Sequence, residues 1–306
     1  CDKPGHPAAA INALAALVIA LLRLHPRELI LSSVHRRALG APLRHVARLT
    51  SVMQVELLAT LRTHVLEHEA VPLSGKLVVC NHAALHRLAP LLASRGSEAA
   101  RVCHGFLLRV ADVHSLAGRD APSHRPSPSN VDALTQLLLG LQPSVDLRQQ
   151  QVVLAVLRAV PRLRAAYMRG KGDSGWPEPE PSCAWVATMA YTTRLLSALT
   201  GSSFGAAALS DAASPAEAVS DAFTAAIPAG IGRPFWSKAL LHASPLVQLV
   251  AMNVLVSVCH SLGCVFAVIE MRYRDGSDST EAVTACRALG GRRRCVPWPE
   301  GRRRMR

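Results

Sequence analysis

Serine, glycine, histidine and cysteine recur in this chain at spacings that some folds use for catalysis or metal binding. Gly172-Asp173-Ser174-Gly175 spells the start of the chymotrypsin-type nucleophile signature. That chemistry needs a histidine base, an orienting aspartate and backbone donors carried on two β-barrels. Here the flanks have helical spacing, Trp176 follows at once, and no series of strands exists to build barrels. Gly201-Ser-Ser-Phe-Gly205 fits the nucleophile elbow, with Ser203 as the attacking group. The elbow must follow a strand and open a helix, whereas this segment trails a helix, and a glycine helix stop accounts for it. Gly170-Lys-Gly-Asp-Ser-Gly175 spells a dinucleotide fingerprint without the strand that must precede it, and reads as a flexible loop. Ala165 stands where a phosphate-binding P-loop ahead of Gly170-Lys171 would need glycine. Cys80, His82 and His86, with Cys103-His104 downstream, hold metal-ligand residue types, and His82 and His86 share a helix face. No H-E-x-x-H pattern completes them. No paired carboxylates sit in a catalytic frame. The sequence is read as that of a non-enzyme with no catalytic residue, no cofactor, no metal and no small-molecule substrate.

Arginine is the remaining chemistry. The chain of 306 residues carries 34 basic and 21 acidic side chains, a net charge of +13. About half of that excess lies between Arg287 and Arg306, where eight arginines face the single acid Glu300. Such a tail can act as a nuclear address or a phosphate contact, or be a solvated terminus. Within the body, Arg36, Arg37, Arg44 and Arg48 form one local cluster, and Arg158, Arg162 and Arg164 another. These seven are the candidate nucleic-acid contacts, set against the plain reading of a solvated helix face. Aromatic residues make up only 4% of the chain, too few for a base-stacking platform. Any RNA contact would therefore be to backbone and shape.

The elements that must carry these residues are helical. Half of the residues are hydrophobic, with apolar positions recurring every three to four residues and almost no strand alternation. The spacing predicts helices over 44–69, 73–92 (with a break near Asn81), 98–115, 130–141, 147–159, 182–199, 215–226, 234–241 and 245–262. Pro161 suits the first turn of a further short helix. Ser244-Pro245, Ser214-Pro215 and Arg233-Pro234 repeat a helix-start device, with proline where no donor is needed. Two loops rich in proline, glycine and serine fall at 117–129 and 170–181.

Eight cysteines without a C-x-x-C pair are expected to be reduced, buried thiols. The uncharged stretches 8–22 and 245–269 are expected to be buried helices rather than membrane spans. Asn12 interrupts the first, and Gln248, Asn253 and His260 recur around the second. The expectation is an all-α, irregular α-solenoid of HEAT or armadillo-like stacked helix pairs over residues 1–271, followed by a basic tail, 272–306, expected to be disordered. Ser244 to Ala251 is the most HEAT-like piece, although any well-capped buried helix would look the same.

Three segments, in order, resemble the N-terminal region of the nucleolar pre-ribosomal-associated protein 1 family. The first runs from Leu61 through Leu92 to Cys103-His-Gly-Phe-Leu-Leu-Arg-Val110. The second runs from Leu137-Leu-Leu-Gly-Leu-Gln-Pro143 through Val156-Leu-Arg-Ala-Val-Pro161 to Tyr167. The third, the most specific, joins Glu178-Pro-Glu-Pro-Ser-Cys-Ala-Trp185 to Ile227-Pro228 and Phe235-Trp-Ser-Lys-Ala-Leu-Leu-His-Ala-Ser-Pro-Leu-Val-Gln248. Trp185, Ser237, Lys238, His242, Ser244 and Pro245 carry its motif. The family-like core spans about 55–262. The resemblance implies a non-catalytic scaffold of the nucleus and nucleolus, acting in early assembly of the large ribosomal subunit. Its implied work is maturation of the 5.8S and large-subunit rRNAs, with pre-ribosomal RNA and pre-60S assembly factors, a DEAD-box helicase among them, as partners and no membrane. The alternative is a generic α-solenoid protein–protein adaptor without an RNA role.

Nothing beyond Arg287 has the period of a packed helix. Truncation there is expected to leave the thermal unfolding midpoint unchanged, as circular dichroism on the full and shortened chains would show.

Overall fold

In a computed structural model, residues 8–31, 42–79, 85–94, 96–120, 128–161, 163–173, 176–199, 215–228 and 230–274 are described. All regular structure among them is helical. We number the helices α1 (Ala8–Leu24), α2 (Pro26–Leu31), α3 (Ser51–Leu61), α4 (Leu73–Val79), α5 (Ala89–Ala93), α6 (Glu98–Asp120) and α7 (Pro128–Leu139). They continue as α8 (Leu147–Ala159), α9 (Leu163–Asp173), α10 (Cys183–Leu199), α11 (Pro215–Ala226), α12 (Arg233–Leu240) and α13 (Pro245–Arg274). Short 3₁₀ turns occupy Val46–Arg48 and His86–Leu88, and a π-helical turn covers Arg62–Leu66.

The helices pack in an order set by the chain. α1 packs on α3, α3 on α6, α6 on α8, α8 on α10 and α10 on α13. A second series runs alongside, with α7 on α9 and α9 on α11, while α11 and α12 close against α13. One continuous apolar core threads both series, from Ile11 in α1 to Ile269 in α13. Its largest fully buried side chains include Trp185, Tyr167 and Phe106. The buried hydroxyls of Tyr167 (α9) and Tyr191 (α10) lie 2.7 Å apart and hydrogen-bond each other. Burial pushes both phenols above their ordinary range, so the pair is neutral.

Local chemistry explains where helices start. Thr50 accepts from Met53 N at 3.4 Å ahead of α3, and Ser97 accepts from Ala100 N at 3.0 Å ahead of α6. Asp146 accepts from Arg148 N and Gln149 N at 2.8 and 3.3 Å ahead of α8, and Ser182 from Trp185 N at 3.2 Å in α10. Gly230 takes a left-handed φ of 83°, and an added Cβ there would stand 2.9 Å from the Trp176 ring.

Four expectations change. The helix expected over 44–69 is divided, because Leu49 and Thr50 are extended and Thr50 restarts the helix as its cap. The glycine-rich loop at 170 is helical as far as Asp173, the last turn of α9, with Leu139 of α7 against Gly170. Burial of cysteine holds for Cys103, whereas Cys183 and Cys259 are exposed and Cys264 is intermediate; all four are free thiols. α13 runs further than expected, to Arg274, and only one side of it is covered. Val247, Ala251, Val254, Val258, Val265 and Ile269 are buried, while Leu246, Leu249, Met252, Val256 and Phe266 are each about half exposed or more. By length and composition Pro245–Glu270 could cross a membrane; 28% of its most apolar window is buried in the protein. Ser174, Ser203, Cys80, His82 and the tail beyond residue 274 lie outside the described residues.

The Asp146 cap gives a direct test of helix definition. Asp146→Ala is expected to cost about 1 kcal/mol and Asp146→Asn only a fraction of that, read as urea-midpoint shifts at constant slope.

Candidate nucleic-acid interface

Two of the four arginines of the first cluster are described. Arg36 and Arg37 lie outside the described residues. Arg44 and Arg48 are exposed at the Val46–Arg48 turn, whose own Val46 and Leu49 are buried beneath them. That turn is pinned from behind. Gln54 Nε2 donates to Val46 O and Leu49 O at 3.0 and 3.1 Å, and Thr50 N donates to Asn12 Oδ1 of α1 at 3.2 Å. Packed against it is the His86–Leu88 turn, with His86 and Arg87 exposed and Leu85 and Leu88 buried. Cys103 Sγ of α6 donates to Leu88 O at 3.7 Å. Two hydrogen-bonded turns, remote in sequence, thus hold Arg44, Arg48, His86 and Arg87 on adjoining backbone, and neither turn contains an acid. Arg87 was not among the candidates, because its neighbourhood forms only on folding.

The second cluster comes apart. Arg162 lies outside the described residues. Arg158 is exposed, its Nε 3.5 Å from Ala198 O. Arg164 is not on a solvated face: its side chain is buried, and its Nε donates to Leu157 O at 2.8 Å. Burial, and then the charge of Arg158, lower its pKa to about 10. It stays protonated at neutral pH as an internal support for the α8–α9 turn, and no phosphate can reach it there.

Other guanidiniums are committed to carboxylates. Glu67 follows the π-helical turn, its N–H donating to Arg62 O at 2.9 Å. That wider turn lets Glu67 Oε1 accept from Arg62 Nε at 2.8 Å and from Arg109 Nε of α6 at 2.9 Å. Arg109 also donates to Asp112 Oδ2 at 3.1 Å. A Cβ on Gly105 would come within 3.1 Å of Arg62 Nη1, so glycine gives that guanidinium its path across α6. Hydrogen bonding from Arg62 foremost, with Arg109 adding to it, holds the Glu67 carboxyl below its ordinary value. Arg23 pairs with Glu56, Arg101 with Glu98 and Arg169 with Asp221.

Of the candidate metal-ligand residues, the structure describes His86, Cys103 and His104. No group of three metal-ligating side chains converges among the described residues. His86 is exposed, whereas Cys103 is buried and its thiol is pushed up to about 12 by desolvation, so it is a packing group and not a thiolate. His104 is held below its ordinary value, mainly by desolvation and then by Arg148, which favours the neutral ring.

The family-motif residues serve packing and turn closure. Trp185 is completely buried in α10. Lys238 Nζ meets Glu178 Oε1 at 2.9 Å, which ties the two halves of the third resemblance together. Ser237 O accepts from Leu241 N at the end of α12. Pro245 opens α13 as expected. The bonds closing the preceding turn come from Ser244 N to His242 Nδ1 at 3.0 Å and from Gln248 Nε2 to His242 O at 2.7 Å.

The family model of the N-terminal region of ribosome 60S biogenesis proteins, Npa1, matches residues 17–188, more than half of the chain. The chain belongs to the Npa1 family. No curated protein and no solved structure matches it. Membership bears out the resemblance stated above and assigns the chain a role in biogenesis of the 60S ribosomal subunit. The Npa1 match takes in α2 to α9, the second half of α1 and the start of α10, Trp185 included. It therefore contains both the two basic turns and the Arg62–Glu67–Arg109 network. Residues 235–248 lie beyond it.

Because Glu67 titrates lower in the folded than in the unfolded chain, its network stabilises above the ordinary carboxylate value of 4.5 and is lost as pH falls through the lowered value. The group is partly exposed, so Glu67→Gln is expected to cost about 0.5–1 kcal/mol at neutral pH. That deficit should close on acidification, and a deficit constant between neutral and acidic urea titrations would contradict the assignment.

Proposed function

We propose that this chain is a stretch of α-solenoid that serves as a non-catalytic scaffold in early nucleolar assembly of the large ribosomal subunit. One observation carries the reading: each main-series helix packs on its predecessor and its successor, α1–α3–α6–α8–α10–α13, with α7–α9–α11 alongside. An array of that kind grows by adding helices without closing a pocket, so it offers length and surface rather than an enclosed site. Membership in a 60S biogenesis family supplies the context. The work proposed is to hold segments of pre-ribosomal RNA and assembly factors together in the nucleolus during maturation of the 5.8S and large-subunit rRNAs. The resemblance adds a DEAD-box helicase to the partners. Net positive charge favours an RNA-rich particle as the setting.

A second reading is an adaptor that contacts proteins alone. The half-exposed apolar face of α13, Leu246 to Phe266, favours it, since apolar surface of that kind is matched by another protein surface and not by RNA.

The two part on sedimentation. The tagged chain is expected to travel with 60S precursor particles in a sucrose gradient and to leave those fractions after nuclease treatment. Migration that ignores nuclease would favour the adaptor, and absence from the particles would overturn the scaffold.

A further inference from the structure

We infer that the paired turns Val46–Arg48 and His86–Leu88 form a phosphate-backbone contact for structured RNA, with Arg44, Arg48 and Arg87 as its guanidiniums. The inference rests on the scaffold reading above and names the part of the surface through which that scaffold touches RNA.

The charges of Arg44 and Arg87 are not spent on carboxylates among the described residues. Arg23, Arg62, Arg101, Arg109 and Arg169 each meet a carboxylate in the folded chain, while Arg44 and Arg87 form no ion pair among the described residues. An arginine already bound to a carboxylate gains little by exchanging it for a phosphate. An exposed arginine without one releases condensed counterions on binding and gains in full.

The backbone of both turns is also held in place. The side chains that pin both turns, Gln54, Asn12 and Cys103, come from α3, α1 and α6, the first three helices of the main series. A guanidinium rooted on a fixed backbone loses less freedom on binding than one on a mobile tail. Arginine rather than lysine also presents a planar fork, which suits the paired oxygens of a phosphodiester.

The third observation concerns what is missing. Residues 44–50 and 85–88 contain no Trp, Tyr or Phe on which a base could stack, only the smaller rings of His45 and His86. Contact is therefore mainly to the sugar–phosphate chain, and strongest where a folded RNA holds successive phosphates in place. An acidic protein segment would meet the same charge. The fork geometry and the 60S context favour RNA.

The test uses the full chain and a fluorescein-labelled RNA hairpin, followed by anisotropy between about 50 and 200 mM salt. The triple variant Arg44→Gln, Arg48→Gln, Arg87→Gln is expected to weaken binding by about tenfold or more and to lower the slope of log K against log salt by about two to three. Arg158→Gln with Arg233→Gln, which removes exposed charge elsewhere, should lower it by less than one, and the three-fold Arg→Lys variant should keep most of the slope. Unchanged binding by the glutamine variant would overturn the proposal, as would an equal loss in the Arg158/Arg233 control. If the triple variant fails to match the wild-type unfolding midpoint, Arg87→Gln alone decides, through a slope reduced by about one or not at all. Displacement of the hairpin by polyglutamate as readily as by unlabelled hairpin would assign the patch to an acidic protein instead. Sedimentation of the triple variant separates the two levels. A variant that still travels with precursor particles but binds RNA normally sinks the patch and leaves the scaffold standing. A wild-type chain absent from the particles sinks the scaffold itself.

Discussion

No helix in this chain can bury its apolar stripe unaided, and everything else in the structure follows from how that surface is shared. Helices of about three turns, the usual length here, are marginal alone in water. Each must find a partner, and because the connections are mostly short the partner is a helix close in sequence. α6 shows the result, since it lies between α3 and α8 and buries Cys103, Phe106, Leu107, Val110 and Ala111. The same constraint fixes the polar details. Asp146, Ser97, Ser182 and Thr50 stand where backbone donors would otherwise go unmet, so that each helix begins at a defined residue and presents the correct face to its neighbour.

Once the helices are stacked, the arginines divide into three kinds with different roles. Arg164 is enclosed and bonds a backbone carbonyl, so it belongs to the core. Arg62 and Arg109 meet at Glu67 and bind the π-helical turn to α6, so they belong to the frame. Arg44, Arg48 and Arg87 lie exposed on turns that contain no carboxylate. Basic residues outnumber acidic ones in this chain, and the fold decides which guanidiniums share the carboxylates, as Arg62 and Arg109 share Glu67. Pairing by sequence proximity alone would have grouped Arg158 with Arg164, two residues whose side chains end up in water and in the core.

The helices were legible because their period and punctuation agree. Leu147–Ala159 and Pro215–Ala226 fall as expected, and proline opens α13 and lies in the first turn of α12. What was not legible has identifiable causes. Thr50 interrupts an apolar period that continues on either side of it, so only its role as a cap reveals the break. The glycines at 170 and 172 suggest a loop by composition, yet at 170 the close approach of Leu139 is what a helix surface without a Cβ permits. Nothing local to residues 44–48 announces His86 and Arg87, which arrive through packing of two 3₁₀ turns. The family motif was readable as pattern, while its physical content, a buried indole and a turn closed by His242 and Gln248, was not.

α13 shows what a hydropathy average leaves out of such a chain. Its buried positions, Val247, Ala251, Val254, Val258, Ser261 and Val265, advance by three and four residues in alternation, the spacing of a seam packed against neighbouring helices. The opposite face is apolar as well, so a sliding average sees one long hydrophobic segment. A membrane span needs an apolar surface all round its lipid-facing side, and here the exposed side carries Asn253 and His260 beside Leu249, Met252 and Val256. Each of those two polar side chains would cost free energy in hydrocarbon and would be satisfied against water or another polypeptide. Read residue by residue, α13 therefore has a packed seam, like every other helix in the series, and an opposite face on which polar and apolar side chains alternate.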